Sequence, residues 1–207
     1  MNEHKYFLQR FVVGPMAVNC YLVADSVTKD ACLIDPGAVP AGIKEIVRKN
    51  GFTLRFIINT HGHGDHIGAN GHLKLPIYIH SLDADFLADA EKNLSADFFF
   101  RVTSPEASRL LGDGDRIALG SLELEVLHTT GHTPGSISLK LDGIVFTGDA
   151  LFAGGIGRTD FSYGDEEVLL ESIKKRLLKL GDGTVIYPGH GEPSTIGEER
   201  RTNPFLV

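Results

Sequence analysis

Residues 56–66 read Phe-Ile-Ile-Asn-Thr-His-Gly-His-Gly-Asp-His, an apolar run that opens into four potential metal ligands within six positions. Imidazole nitrogen and carboxylate oxygen are donor types that zinc and iron accept. His61 and His63 are two apart, so an extended segment points both side chains the same way. Gly62 and Gly64 are read as letting the backbone turn tightly around an ion. Asp65 and His66 then turn toward a neighbouring position. Three imidazoles and a carboxylate crowded together have no purpose as ordinary loop residues, so the segment predicts a metal site. Isolated histidines carry no such signal. His4 and His72 read as turn or solvated residues, and His80 and His128 as supports of the site or as core or surface residues.

The same layout recurs three times. The apolar run ending at Leu127 leads through Thr129, Thr130 and Gly131 to His132. The run 144–146 leads through Thr147 and Gly148 to Asp149, and the run 185–187 through Pro188 and Gly189 to His190. Strand ends in such sheets gather along one edge, where active sites form. Seven donors exceed what one tetrahedral ion needs. Two ions sharing a carboxylate would use them all, at a separation of roughly 3.5–4 Å.

The rest of the chain supplies a scaffold for that edge. Strands are predicted at 7–13, 20–25, 31–34, 56–59, 77–79, 122–127, 136–141, 144–146 and 185–187, with helices at 39–50, 81–93 and 165–180. Leu122, Leu124 and Val126 alternate with Glu123 and Glu125, the period of a half-buried strand, and Asp142-Gly143 between apolar runs signals a hairpin. Val39, Ile43, Ile46 and Val47 fall on one side of the first helix. Leu169, Ile173, Leu177 and Leu180 form the stripe of the last, with acids Asp165, Glu166 and Glu167 in its first turn. Strands and helices in this mixed order predict an α/β sandwich.

The 207 residues suit one well-buried domain, here the whole of 1–207. A net charge of −7 argues against nucleic acid and anionic membrane as partners. The polar N-terminus does not read as a signal peptide, and no run approaches the roughly 18 apolar residues of a membrane span. The chain therefore reads as soluble and cytoplasmic, with Cys20 and Cys32 as small buried residues.

Thr60-His61-Gly62-His63-Gly64-Asp65-His66 resembles the signature of the metallo-β-lactamase superfamily. Gly131-His132-Thr133, Thr147-Gly148-Asp149 and Gly189-His190 follow in that family's order, after an early Leu33-Ile34-Asp35-Pro36-Gly37 turn. The resemblance implies a four-layer αββα sandwich with a dinuclear centre at one edge. It implies that His61, His63 and His132 hold one divalent ion, that Asp65, His66 and His190 hold the other, and that Asp149 bridges them. Zinc is the first expectation, with iron or manganese as alternatives.

Within the superfamily the chain is similar to glyoxalase II-like thioester hydrolases. The resemblance implies a metal-dependent hydrolase acting on a small-molecule thioester, a glutathione-derived one among the candidates, with Asp65 and Asp149 as catalytic carboxylates and a metal-bound hydroxide as nucleophile. The chain ends at Val207, soon after His190, and is expected to lack the helical glutathione-binding region of glyoxalase II. Gly157-Arg158-Thr159-Asp160-Phe161 resembles both compact glyoxalase II-like hydrolases and persulfide dioxygenases, which use one iron held by counterparts of His61, His132 and Asp149. Residues 195–205 resemble the compact hydrolases, which puts the thioesterase first, ahead of the dioxygenase and a lactonase. Arg158 is read either as a fork for a substrate carboxylate or as a brace for its own loop.

Overall fold

The computed structural model describes residues 5–98 and 101–207, so His4 lies outside the described residues. Two six-stranded sheets face each other. The first contains β1 (Tyr6–Val13), β2 (Val18–Asp25), β3 (Asp30–Ile34), β4 (Thr53–Ile58), β5 (Ile77–His80) and β6 (Arg109–Leu111), paired in that order. The second contains β7 (Arg116–Leu119), β8 (Leu122–His128), β9 (Ile137–Leu141), β10 (Ile144–Gly148), β13 (Val185–Pro188) and β14 (Ser194–Thr195), in the order β14-β13-β10-β9-β8-β7. A short ribbon of β11 (Leu151–Phe152) and β12 (Gly155–Ile156) stands beside them.

The layering follows from side-chain alternation. Every residue of β2 is buried, because both faces of that strand are covered. Tyr21 and Val23 point between the sheets, toward Leu124, Val126 and Phe146. Cys20, Leu22 and Ala24 point outward, onto helix α1 (Ile43–Asn50). In the second sheet Phe146 faces inward, whereas Val145 and Ile186 pack under Leu169, Ile173 and Leu177 of the helical segment 166–177. Helix, sheet, sheet and helix thus form the expected αββα sandwich. Cys20 and Cys32 are both buried free thiols on opposite faces of the first sheet.

Some elements differ from the sequence expectation. Helix α1 begins only at Ile43, because Gly42 adopts φ 75°, and Val39 stays 47% exposed instead of joining the buried stripe. The helix ends as expected on Gly51, whose N–H reaches back to Arg48 O. Residues 81–93 do not form an α-helix. A 3-10 turn spans Ser81–Leu87, where His80 Nδ1 accepts the Leu82 N–H and Asp83 turns into the interior. The last helix starts where expected, with Asp165 accepting the Val168 N–H at 3.0 Å. It runs as α over Glu166–Ser172 and widens to a π turn over Ile173–Leu177, so that Leu180 lies past its end. The Asp142-Gly143 hairpin forms as read, with both residues at positive φ, joining β9 to β10. Strands β6, β7, β11, β12 and β14 and the short helices after the His61 loop and before the C-terminus had no clear sequence signal.

Candidate metal centre

The seven predicted donors come together at one edge of the two sheets. His61 leaves the end of β4, and Asp35 leaves the end of the adjacent β3. Asp35 accepts the Thr60 N–H at 2.7 Å and the Thr60 hydroxyl at 2.6 Å, so the two strand ends are locked before the ligands begin. Thr60 Oγ1 in turn lies 3.1 Å from His61 Nδ1, which leaves Nε2 free to face the centre. Asp65 and His66 belong to the single turn α2 (Gly64–Ile67).

Gly62 and Gly64 serve a different purpose from the one read in the sequence. Neither has a positive φ, so the turn itself does not require glycine. Space does: a Cβ on Gly62 would stand 2.4 Å from Phe86 Cβ, and one on Gly64 2.7 Å from Ser95 Cβ.

The donors fall into two groups. His61 Nε2 and His132 Nε2 lie 3.1 and 2.9 Å from His63 Nδ1, three imidazole nitrogens aimed at one point. His190 Nε2 and His66 Nε2 lie 3.4 and 3.8 Å from Asp65 Oδ2. Asp149 stands between the groups. Its Oδ1 is 3.4 Å from His66 Nε2, and its Oδ2 is 3.6 Å from His190 Nε2 and 3.7 Å from His132 Nε2. The donor atoms of each trio His61–His63–His132, His61–His66–Asp149 and Asp65–His66–His190 lie within 4.8 Å of one another.

Electrostatics and hydrogen bonding both favour cations here. Burial and the neighbouring imidazoles push His61 and His63 well below the usual histidine range, so both are neutral donors. Burial opposes charge on His66 as well, yet the carboxylates of Asp149, Asp65 and Asp35 outweigh it and carry that imidazole up to about 10. His190 is raised in the same way, burial being outweighed by Asp65 and Asp149. Burial likewise disfavours the Asp65 carboxylate, but His66 and His190 hold it well below the usual carboxylate range. Among the described residues, His66 Nε2 and Asp149 Oδ1 are buried side-chain atoms without a hydrogen-bond partner. Such orphans cost about 1–3 kcal/mol each, and divalent ions seated among these donors would satisfy both. The residues present therefore fit two such ions.

Asp83, which the sequence reading missed, holds the loops in place. This fully buried carboxylate accepts the Gly62 N–H at 2.9 Å, the Thr133 hydroxyl at 2.7 Å and the Gly135 N–H at 2.6 Å. One side chain thus ties the His61–His63 loop to the loop of His132. His132 Nδ1 lies 2.7 Å from Arg158 O, which orients the ring. From the first sheet, the Asn19 amide donates to Pro188 O and Gly191 O, and its N–H to Gly189 O, pinning the turn that carries His190. His80 and His128 stack on each other with centroids 4.3 Å apart and belong to none of the donor groups. His72 is exposed, as read.

Above the centre lies a cleft of about 190 Å³ walled by Met16, Leu94, Phe152 and Phe161. Arg158 stands at its edge, paired through Nε and Nη2 with Asp160, so in this structure it braces its own loop. Leu94 adopts φ 63°, a left-handed conformation that costs a non-glycine residue about 1–2 kcal/mol. Its side chain is only half-buried, so relief of that strain offsets much of what truncation loses. Leu94→Gly is expected to leave the melting temperature within a few degrees of the parent value while raising KM several-fold. An unchanged KM in steady-state kinetics would remove Leu94 from the binding wall.

Two facing sheets with helices outside and a His/Asp cluster at the sheet edge define a class of metal-dependent αββα proteins. The sequence profile described as the Metallo-beta-lactamase superfamily matches residues 13–190, and the chain belongs to that superfamily. It is 40% identical to the probable metallo-hydrolase YqgX of Bacillus subtilis, over 96% of both chains. It is 37% identical to the hydroxyacylglutathione hydrolase GloC of Haemophilus influenzae, over 91% of this chain and 92% of that one. It is 35% identical to the mitochondrial persulfide dioxygenase ETHE1 of Bos taurus, over 90% of this chain and 70% of that one. Among solved structures, the BLEG-1 B3 metallo-beta-lactamase superposes with a TM-score of 0.91 at 33% identity, covering 97% of this chain and all of that one. TTHA1623 in a di-iron-bound form superposes at 0.81 with 36% identity, covering 96% of this chain and all of that one. No helix among the described residues is long and apolar enough to cross a membrane.

Proposed function

We propose that this chain is a metal-dependent hydrolase that cleaves a small-molecule thioester, with hydroxyacylglutathione as one example of the class. The observation that carries the reading is the pair of donor groups joined by Asp149 at the floor of an apolar-walled cleft. His61, His63 and His132 would hold one divalent ion, Asp65, His66 and His190 the second, and Asp149 both, zinc being the first candidate and iron or manganese the others. The relationship to GloC supports the substrate class, and the di-iron form of TTHA1623 keeps iron among the metals.

When bound there, two such ions would supply Lewis acidity, lowering the pKa of a coordinated water toward roughly 7 and polarising a carbonyl. The chain's own residues do the rest. Asp65, kept ionised by His66 and His190, offers Oδ2 as an acceptor that orients the attacking water. Asp83 and Asp35 hold the donor loops so that little rearrangement accompanies the reaction. Phe152 and Phe161 shield the centre from bulk water. A thiolate leaves without strong protonation, so a thioester makes no demand for a dedicated general acid in the cleft. A cytoplasmic setting belongs to the same reading, since both cysteines are buried, unpaired thiols.

The test is made under nitrogen with metal-replete protein and S-D-lactoylglutathione. Release of free thiol at a rate independent of oxygen is expected. Oxygen uptake with glutathione persulfide, and no thioester cleavage, would instead assign the dioxygenase reaction named for ETHE1. Preferential opening of a lactone or a β-lactam would redirect the hydrolase to ring esters or amides.

A further inference from the structure

The walls of the cleft bear on which thioester it takes, an argument that rests on the hydrolase reading above. Apart from the donor residues, much of the wall is apolar: Met16, Leu94, Phe152 and Phe161. Its two amide and hydroxyl side chains are already engaged within the protein. Asn93 donates its amide to Phe86 O and Val102 O, and its Oδ1 accepts the Ser95 N–H. Ser95 Oγ accepts the Val102 N–H at 2.8 Å. Among the described lining residues outside the donor cluster, Arg158 is the single cation.

That cation is occupied. Arg158 Nε and Nη2 meet Asp160 Oδ1 and Oδ2 at 2.9 and 2.8 Å, the two-pronged geometry with which an arginine would grip a substrate carboxylate. The guanidinium also lies 4.5 Å over the Phe161 ring, which fixes its plane against the wall. The pair sums to zero charge in a chain whose net charge is −7. A ligand carboxylate entering the cleft meets a guanidinium whose fork is taken by an internal carboxylate two residues away.

We infer that Asp160 masks Arg158 and thereby makes this cleft selective for thioesters whose thiol portion is uncharged, over the glutathione thioester with the same acyl group, whose two carboxylates and one ammonium leave it a net anion. Arg158 and Asp160 have side chains that are both 66% exposed. The mask is therefore a competitor for the arginine and contributes little to folding, so it can be removed without unfolding the protein.

The experiment compares two thioesters of one acyl group, D-lactoyl-glutathione and D-lactoyl-N-acetylcysteamine, with the metal-replete full chain. The readout is the ratio of kcat/KM for the neutral over the anionic thioester in the parent, Asp160→Asn, Arg158→Ala and the double variant. The parent is expected to favour the neutral thioester. Asp160→Asn should shift the ratio toward the glutathione thioester by a few-fold, up to about fivefold, the scale of releasing an exposed ion pair, and mainly through KM. The double variant should return to the parent ratio, which a merely structural effect of Asp160 would not do. Three outcomes overturn the inference. The first is a ratio unmoved by Asp160→Asn. The second is a parent that prefers the glutathione thioester and loses that preference in Arg158→Ala, which would show Arg158 already free to bind. The third, cleavage of neither thioester, overturns the hydrolase reading along with it, and so is distinguishable from the other two.

Discussion

Replacing Asp149 by alanine is expected to abolish turnover, by about 10³-fold or more on the scale of groups that organise transition-state charge, and to strip metal from both halves of the centre. The reason is positional. Oδ1 faces His66, while Oδ2 faces both His132 and His190, so the side chain is common to the two donor groups. His190 has no such double role: its Nε2 faces Asp65 and Asp149 only, at the more open side of the cluster, and its side chain is 27% exposed. His190→Ala should therefore empty mainly the Asp65–His66–His190 group and leave the three-imidazole group loaded. Metal analysis of both variants, purified in parallel and reloaded under identical conditions, checks this. Equal losses of metal in the two variants would contradict the assignment of Asp149 as the shared ligand.

Asp83→Ala is expected to destabilise the protein by about 3–5 kcal/mol, because it deletes three charge-assisted hydrogen bonds and leaves the Gly62 and Gly135 N–H groups buried without an acceptor. Burial itself raises the Asp83 carboxyl above the usual carboxylate value, and the three donors work against that shift. For a chain of 207 residues, such a loss lowers the melting temperature by roughly 10 °C. Function should fall with it. The loop of His61 and His63 and the loop of His132 share this one anchor, so metal affinity of the three-imidazole group should drop even at temperatures where the variant is folded. Thermal melts of metal-free protein, with metal titration well below the transition, separate the two effects. A variant melting within two or three degrees of the parent would show that the loops are held by something else. The same pair of measurements on Asp83→Asn, which keeps an acceptor but replaces the other oxygen by a donor, should give intermediate values.

Much of this protein was legible in its sequence, for physical reasons that differ between elements. Strands such as 20–25 and 144–146 are short apolar runs bounded by polar turns, and a strand buried on both faces has no other composition available to it. The donors were legible because four of them crowd into six positions, and the other three follow apolar runs through short glycine turns. Asp142-Gly143 was legible because its turn requires positive φ at both positions.

Other features were decided only in three dimensions. Residues 81–93 carry helical spacing, yet the backbone tightens into a 3-10 turn because Asp83 is drawn inward by donors that lie 21 and 52 residues away in sequence. Nothing local marks Asp83 or Asp35 as the anchors of the site, since a buried carboxylate is defined by the donors that other segments bring to it. Gly62 and Gly64 were read as turn residues, and it is the approach of Phe86 and Ser95 from another part of the chain that excludes a side chain there. Arg158 could be read two ways from sequence alone, and its pairing with Asp160 is a fact of loop geometry. The sequence by itself determined the candidate donor set, the αββα layering and the family, because ligand chemistry and side-chain alternation are local properties. Tertiary structure alone decided what holds the donors in place and which groups line the cleft, because each depends on contacts between segments far apart in the chain.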